Sequence, residues 1–307
     1  MKLKFFLAVV AVIICSKVAG QGKYDKEEML NSEFPVIGAY LWCDFGQFRN
    51  EAFFDFAKMN GVTEIYLAQR LVDYYKKDNS NNYYYDSSYY FEKTKYFLEM
   101  AHKRGFKVFR LLGSQRETIK YFKLDIIDIG EKIQQTIDYN KKVPDSLKFA
   151  GIHLDIEFSK IKDDPNYQRY QIFADSAVRL CEQYGKQIKI DFSIIQYHTP
   201  VKYKKDSTAL YKVIIDIADR TFVQSYNYNK YPKYNADTIF KIVEPLIEYA
   251  EPKNKTIIYT IRPEEFPDGY IKMNEQLKRL YDITKYKNTG LAIHTLSNWF
   301  SKADIER

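Results

Sequence analysis

Residues 151–157 read Gly-Ile-His-Leu-Asp-Ile-Glu, and from Ile152 onward aliphatic and ionisable side chains strictly alternate. Successive side chains of a β-strand point to opposite faces, so His153, Asp155 and Glu157 share one face of the predicted strand. The aliphatic face is expected to pack against helices. The ionisable face must then line an interior space, because such groups are costly to bury unless they are paired or take part in chemistry.

Similar short runs of Ile, Val, Leu, Phe and Tyr recur along the chain, separated by stretches with helical apolar spacing. The predicted strands are 36–42, 64–68, 107–112, 151–157, 188–195, 221–226, 256–261 and 291–296. The predicted helices are 51–59, 91–103, 125–139, 167–184, 209–218, 236–250 and 273–284. This alternation predicts an α/β protein, a single-domain (β/α)₈ TIM barrel. A doubly wound open sheet is the alternative, although no glycine-rich phosphate turn follows an early strand.

The first twenty residues have the pattern of a secretory signal. Lys2 and Lys4 precede an apolar run over 5–15, and small residues come before a cleavage site ahead of Gln21. The run is shorter than the roughly 20 residues that span a bilayer. We therefore expect a signal peptide over 1–20, a barrel domain over 21–307, and a secreted or lumenal protein without stable membrane insertion. An uncleaved signal anchor is the alternative.

Composition and charge exclude several classes of protein. With 46% hydrophobic residues, 12 Gly and 9 Pro, the chain can bury a large core and is neither disordered nor collagen-like. Loss of Lys2, Lys4 and Lys17 with the signal lowers the net charge from +7 to +4. The chain has no dense block of Lys and Arg of the kind that would indicate a nucleic-acid partner. We expect a monomer.

Cys43 and Cys181 permit either a disulfide or two buried thiols.

The chemistry is expected at the carboxyl end of the strand over 151–157, where barrel enzymes place catalytic groups. Glu157 ends this strand and Asp155 lies one pleat below it. Two carboxylates this close cannot both ionise freely, so one is expected to stay protonated and serve as a general acid. An internal polar network without chemistry is the alternative. The sequence has no zinc-ligand pattern and no H-E-x-x-H or G-x-S-x-G motif, so we expect no metal and no cofactor.

Residues 150–157 resemble the signature D-G-x-D-x-D-x-E that family 18 glycoside hydrolases, the chitinases and endo-β-N-acetylglucosaminidases, carry on their fourth barrel strand. The resemblance implies that Glu157 is the general acid and that Asp155 orients the 2-acetamido group of the substrate. In that family the acetamido oxygen acts as the nucleophile. Ala150 and His153 stand in place of the two earlier acids of the signature. His153 therefore changes the proton relay beneath Asp155.

Three further segments are similar to that family. Residues 223–227 resemble its sixth-strand M-x-Y-D, which implies that Tyr226 hydrogen-bonds the acetamido group. In the last predicted strand, His294 stands where the family has a Trp that stacks under the sugar. The first predicted strand carries the aromatic residues Tyr40 and Trp42 and is similar to the aromatic first strand of the family. For the residues of each segment, the alternative is an ordinary structural role in the core or at a strand end. The substrate-binding candidates are His153, Tyr40, Trp42, Gln224, Asn227, His294 and Trp299, and the catalytic candidates are Glu157, Asp155 and Tyr226.

The sequence thus predicts a secreted glycoside hydrolase that acts on carbohydrate. A catalytically inactive, lectin-like barrel is the alternative, because the signature has lost two acids. A non-carbohydrate barrel enzyme such as a phosphodiesterase is a third. For a substrate without a 2-acetamido group, Asp155, Asp44, Asp191 or Glu265 is expected to supply the second carboxylate. The tyrosine-rich stretch over 76–90 is either a sugar-stacking loop at the barrel rim or a low-complexity loop.

Overall fold

Eight parallel strands close into a barrel, which confirms the predicted fold class. The computed structural model describes residues 33–43, 51–69, 75–77, 83–85, 87–115, 119–157, 168–195, 202–203, 208–226, 235–266 and 269–295, at some positions by backbone alone. The barrel strands are β1 (Ile37–Cys43), β2 (Glu64–Gln69), β3 (Lys107–Gln115), β4 (Gly151–Glu157), β5 (Ile190–Ile195), β6 (Arg220–Gln224), β7 (Thr256–Ile261) and β8 (Thr289–Ile293). Each strand pairs with the next along the chain, and β8 returns to pair with β1.

Helices connect the strands in the described part of the chain. They are α1 (Glu51–Met59), α2 (Ser87–Lys103), α3 (Ile119–Lys142), α4 (Gln168–Tyr184), α5 (Leu210–Ile217), α6 (Ala236–Ala250) and α7 (Gly269–Thr284). The start of α6 has a local cause, because the Asn235 side chain accepts a hydrogen bond from the backbone N–H of Thr238 at 3.0 Å. None of the described helices is both long and apolar enough to cross a membrane.

Several predicted bounds are residue-for-residue correct, namely those of β4, β7, α1 and α6. The structure also contains two antiparallel ribbons that the sequence did not predict. One joins Tyr75–Lys77 to Tyr83–Tyr85 and so overlaps the tyrosine-rich stretch over 76–90, and the other joins Lys202–Tyr203 to Thr208–Ala209. β8 begins at Thr289 rather than at 291, because Thr289 and Gly290 already pair with β7.

The main hydrophobic core lies between the barrel and its helices. On β4, Ile152, Leu154 and Ile156 are fully buried in it together with Phe173 of α4 and Ile133 of α3. Burying each of these side chains contributes roughly 1.5–3 kcal/mol. This packing determines which face of β4 points outward, so the alternate side chains of the strand point into the lumen.

Two further side chains lie outside the lumen. Arg110 of β3 faces α3, where it donates hydrogen bonds to the Lys132 carbonyl and to Thr136 Oγ1. Cys181 is a free thiol on α4, so the disulfide alternative with Cys43 is wrong. Burial raises the pKa of this thiol to about 12, so it stays protonated.

A second, smaller core fills the barrel lumen. Tyr40, Tyr66, Phe109 and Phe222 are its large members. Gly38 makes room for this packing, because a Cβ at that position would lie 2.3 Å from the Tyr66 ring. The lower lumen is therefore a packed interior rather than a channel, as is usual for barrels of this size.

Candidate active site in the barrel lumen

The floor of the lumen is a buried ion network at the amino ends of three strands. Arg220 at the start of β6 lies 2.8 Å from Glu64 Oε2 and 2.6 Å from Asp191 Oδ2. The Tyr66 hydroxyl donates to the same Glu64 oxygen at 2.6 Å. One cation therefore serves two carboxylates. Burial outweighs the attraction of Arg220 and raises the pKa of Asp191 from 3.8 to about 6.

This shift predicts how the stability of the protein depends on pH. Folding raises the pKa of Asp191, so its contribution to the free energy of unfolding is present below about pH 3.8 and is lost as the pH rises through about 6. Asp191→Asn cannot ionise. As the pH rises from about 4 to about 7, we expect the free energy of unfolding of wild type to fall relative to that of Asp191→Asn, as measured by urea denaturation. A difference that stays constant over this window would contradict the assignment.

A hydrogen-bonded triangle occupies the middle of the lumen. The Tyr40 hydroxyl lies 2.8 Å from His153 Nε2, and Ser193 Oγ lies 3.0 Å from each of these atoms. The His153 ring also packs edge-on against Phe222, with a centroid separation of 4.4 Å. Burial, assisted by Arg220 below, holds the pKa of His153 well below its usual value. His153 is therefore a neutral residue.

Asp155 lies above this triangle, one pleat nearer the carboxyl end of β4. It is 3% exposed, and Gln224 Nε2 donates a hydrogen bond to its Oδ1 atom at 2.8 Å. Burial raises the pKa of the Tyr40 hydroxyl, and the nearby negative charge of Asp155 raises it further. The face of β4 that the sequence predicts to be polar thus does line the lumen at positions 153 and 155.

Three side chains cluster at the carboxyl ends of β6, β7 and β8. The Arg262 guanidinium lies over the Tyr226 ring at 4.1 Å, and its Nε donates to His294 Nδ1 at 3.3 Å. The rings of Tyr226 and His294 are 5.4 Å apart. Burial and the Arg262 charge lower the pKa of His294 to about 3, so the ring is neutral. This cluster, which we call the mouth cluster, combines an aromatic face with fixed polar groups.

The predicted site residues fall into three groups. Asp155, Gln224, Tyr226 and His294 come together in the upper lumen. Tyr40 and His153 lie beneath them without accessible surface, so a bound sugar would meet them only through the residues above. Of the other predicted residues, the side chains of Trp42 and Glu157, and Asn227, Trp299 and Asp44 entirely, lie outside the described part of the structure. Asp191, one of the predicted second carboxylates, lies in the ion network at the floor, and Glu265 ends the 3₁₀ helix that follows β7. The backbone of Glu157 is described, as the last residue of β4.

The sequence analysis did not predict the polar residues that bind the lumen side chains, namely Ser193, Glu64 and Arg220. Ser193 had a signal, since it alternates with Phe192 and Ile194 along β5 as a small polar residue on the inner face. Glu64 and Arg220 had none, because they meet only when the barrel closes. Within the described residues, no cluster of three or more His, Cys, Asp or Glu side chains could hold a metal ion.

Solved structures share this fold at low sequence identity. No protein-family model matches the chain, and no curated protein matches it by sequence. A GH18 chitinase from Pseudoalteromonas aurantia superposes with a TM-score of 0.56 at 12% identity, over 89% of this chain and 100% of that one. A chitinase from Bacteroides thetaiotaomicron gives 0.53 at 15% identity, over 86% and 90%.

The same barrel also occurs in an endoglucanase from Pseudomonas stutzeri, which superposes with a TM-score of 0.54 at 13% identity, over 87% of this chain and 88% of that one. Identities this low show a shared fold and nothing finer. The resemblance to chitinase-like barrels that residues 150–157 indicate is thus confirmed at the level of the fold.

Proposed function

We propose that this protein is a glycoside hydrolase whose substrates carry a 2-acetamido group, with Glu157 as the general acid and Asp155 as its partner. The observation that carries the proposal is the position of Asp155. It is buried at the top of the lumen on β4, hydrogen-bonded by Gln224 of β6, and two residues before the end of its own strand. Barrel enzymes place their chemistry at this end. The shared fold with chitinases and an endoglucanase supports the same class of reaction.

The proposed reaction uses a group of the substrate as nucleophile. The acetamido carbonyl oxygen bonds to the anomeric carbon as the glycosidic bond breaks, and Glu157 gives its proton to the leaving oxygen. The Asp155 carboxylate lies beside the acetamido N–H and stabilises the positive charge of the cyclic intermediate. Water then opens this intermediate, and Glu157 takes back a proton from the water.

The mouth cluster is proposed to bind the sugar next to the bond that is cleaved. Tyr226 offers a hydroxyl for the acetamido group, and the neutral His294 ring offers a hydrogen-bonding edge in the place that the resembled family gives to a Trp. Arg262 holds the two rings together. Tyr40 and His153 lie beneath Asp155 and are proposed to make no direct contact with substrate.

A paired set of substrates tests the proposal. Purified protein is incubated with oligosaccharides of β-1,4-linked N-acetylglucosamine and with β-1,4-glucose oligosaccharides of equal length, and the released products are separated by chromatography. We expect cleavage of the acetylated series only, because the second series lacks the nucleophile. Binding of either series without cleavage would instead support the lectin-like alternative. Cleavage of both series at equal rates would contradict the substrate-assisted mechanism.

We also propose that the protein is exported, on the strength of the signal pattern over residues 1–20. The full chain expressed in a secreting host is expected in the medium with Gln21 as its first residue, because the small residues before it suit signal peptidase. Amino-terminal sequencing of the recovered protein checks this. Retention of the whole chain in the membrane fraction would support the signal-anchor alternative.

A further inference from the structure

Asp155 takes its hydrogen bond from a side chain two strands away in the barrel. Gln224 belongs to β6, which is separated from β4 by β5, and its Nε2 donates to Asp155 Oδ1 inside the lumen at 2.8 Å. Both side chains are only 3% exposed. A hydrogen bond from a buried amide to a carboxylate is among the stronger kinds in proteins and fixes the orientation of the carboxylate.

His153, the neighbour one pleat below, does not hold Asp155. Its Nε2 atom is engaged with Tyr40 and Ser193, and its Nδ1 atom has no hydrogen-bond partner among the described residues. In the signature that residues 150–157 resemble, an acid occupies this position. His153 therefore has no hydrogen bond to Asp155 along which a proton could pass.

We propose that Gln224 is the positioning residue for Asp155, a non-titrating amide that replaces the missing acid at position 153. This inference rests on the proposed function and refines it. The charged and titratable groups around Asp155 are few in the described lumen. Tyr40 lies beside it with a raised pKa, neutral His153 lies below, Arg262 lies at the mouth, and the Arg220 network is deeper. With the amide as donor, the orientation of Asp155 does not depend on the protonation of an acid at position 153.

Two substitutions at Gln224 test the inference by kinetics. Gln224→Met keeps the length of the side chain and removes the donor, and we expect kcat to fall about 10- to 100-fold with KM changed less than about twofold. Gln224→Glu can donate to Asp155 only while the introduced carboxyl is protonated. Because two adjacent carboxylates share a proton, we expect its activity to survive only at acid pH, with the basic limb of the profile moved to lower pH.

Ser225→Ala is the matched control, since it changes the next residue, whose hydroxyl donates to the Val223 carbonyl and not to Asp155. We expect it to keep the kcat and pH profile of wild type. A Gln224→Met variant as active as wild type, or a Gln224→Glu variant with an unshifted profile, would overturn the inference.

A measurement without substrate separates this inference from the proposed function. The ¹³C resonance of the Asp155 carboxyl carbon, assigned by its loss in Asp155→Asn, is followed through a pH titration. We expect its midpoint to move to higher pH in Gln224→Met, because the lost hydrogen bond favours the charged form. Equal midpoints would show that Gln224 does not position Asp155, even if the protein cleaves glycans. A shift in a protein that cleaves nothing would support the positioning and contradict the proposed function.

Discussion

Glu157→Gln is expected to reduce the rate of glycan cleavage by roughly 10³-fold or more, because a Gln amide has the shape of Glu but cannot protonate the leaving oxygen. Binding of the oligosaccharide should persist, since the proton is needed in the transition state and not in the bound substrate. The measurement is product release under single-turnover conditions together with binding by calorimetry. Reduced cleavage with retained binding is the signature of a lost general acid.

A control variant excludes a general effect of removing a carboxylate near this end of the barrel. Glu264 is an exposed residue in the short 3₁₀ helix Pro263–Glu265 that follows β7. Glu264→Gln is expected to cleave at the wild-type rate. If Glu157→Gln cleaves as fast as this control, Glu157 is not the acid and another carboxylate must be sought.

Arg220→Met is expected to lower the free energy of unfolding by about 3–5 kcal/mol at neutral pH, the cost typical of breaking a buried ion pair. Glu64 is 4% exposed and Asp191 has no exposed surface, so neither carboxylate can regain water when the guanidinium is lost. Arg220 also packs over the Phe109 ring at 4.7 Å, a contact that Met retains in part. Urea denaturation followed by circular dichroism measures the difference.

The matched control is Arg279→Met, which removes a surface ion pair. Arg279 lies 2.8 Å from Asp237, and both side chains are 60% exposed. Such pairs contribute less than about 1 kcal/mol. Combining Arg220→Met with Glu64→Gln and Asp191→Asn should restore part of the lost stability, because no uncompensated charge then remains. An Arg220→Met variant as stable as the control would show that the network contributes little.

The barrel was predictable because its strands and helices alternate with clear periods. On β4, the alternation of residues 151–157 predicts which side chains meet the helices and which meet the lumen, and the structure agrees from Ile152 to Ile156. The amphipathic spacing of α1 and α6 similarly predicts their bounds. These are local patterns, and each of them requires only knowledge of its own element.

The contacts inside the lumen were not predictable in this way. The sequence analysis placed His153 in a relay beneath Asp155, yet the ring bonds to Tyr40 and Ser193, 113 and 40 residues away. Which of several polar residues on the inner face meet depends on the stagger of the strands and on the size of the rings between them. The same holds for Glu64 and Arg220, which are 156 residues apart.

The most direct test of the central claim is a crystal structure of the Glu157→Gln variant with a β-1,4-linked N-acetylglucosamine oligosaccharide. We predict that the sugar lies at the carboxyl end of the lumen, with its 2-acetamido group within hydrogen-bonding distance of Asp155 or Tyr226 and its glycosidic oxygen beside residue 157. A sugar bound on the outer helices, or a residue 157 side chain turned away from the lumen, would contradict the assignment of a glycoside-cleaving site to this barrel.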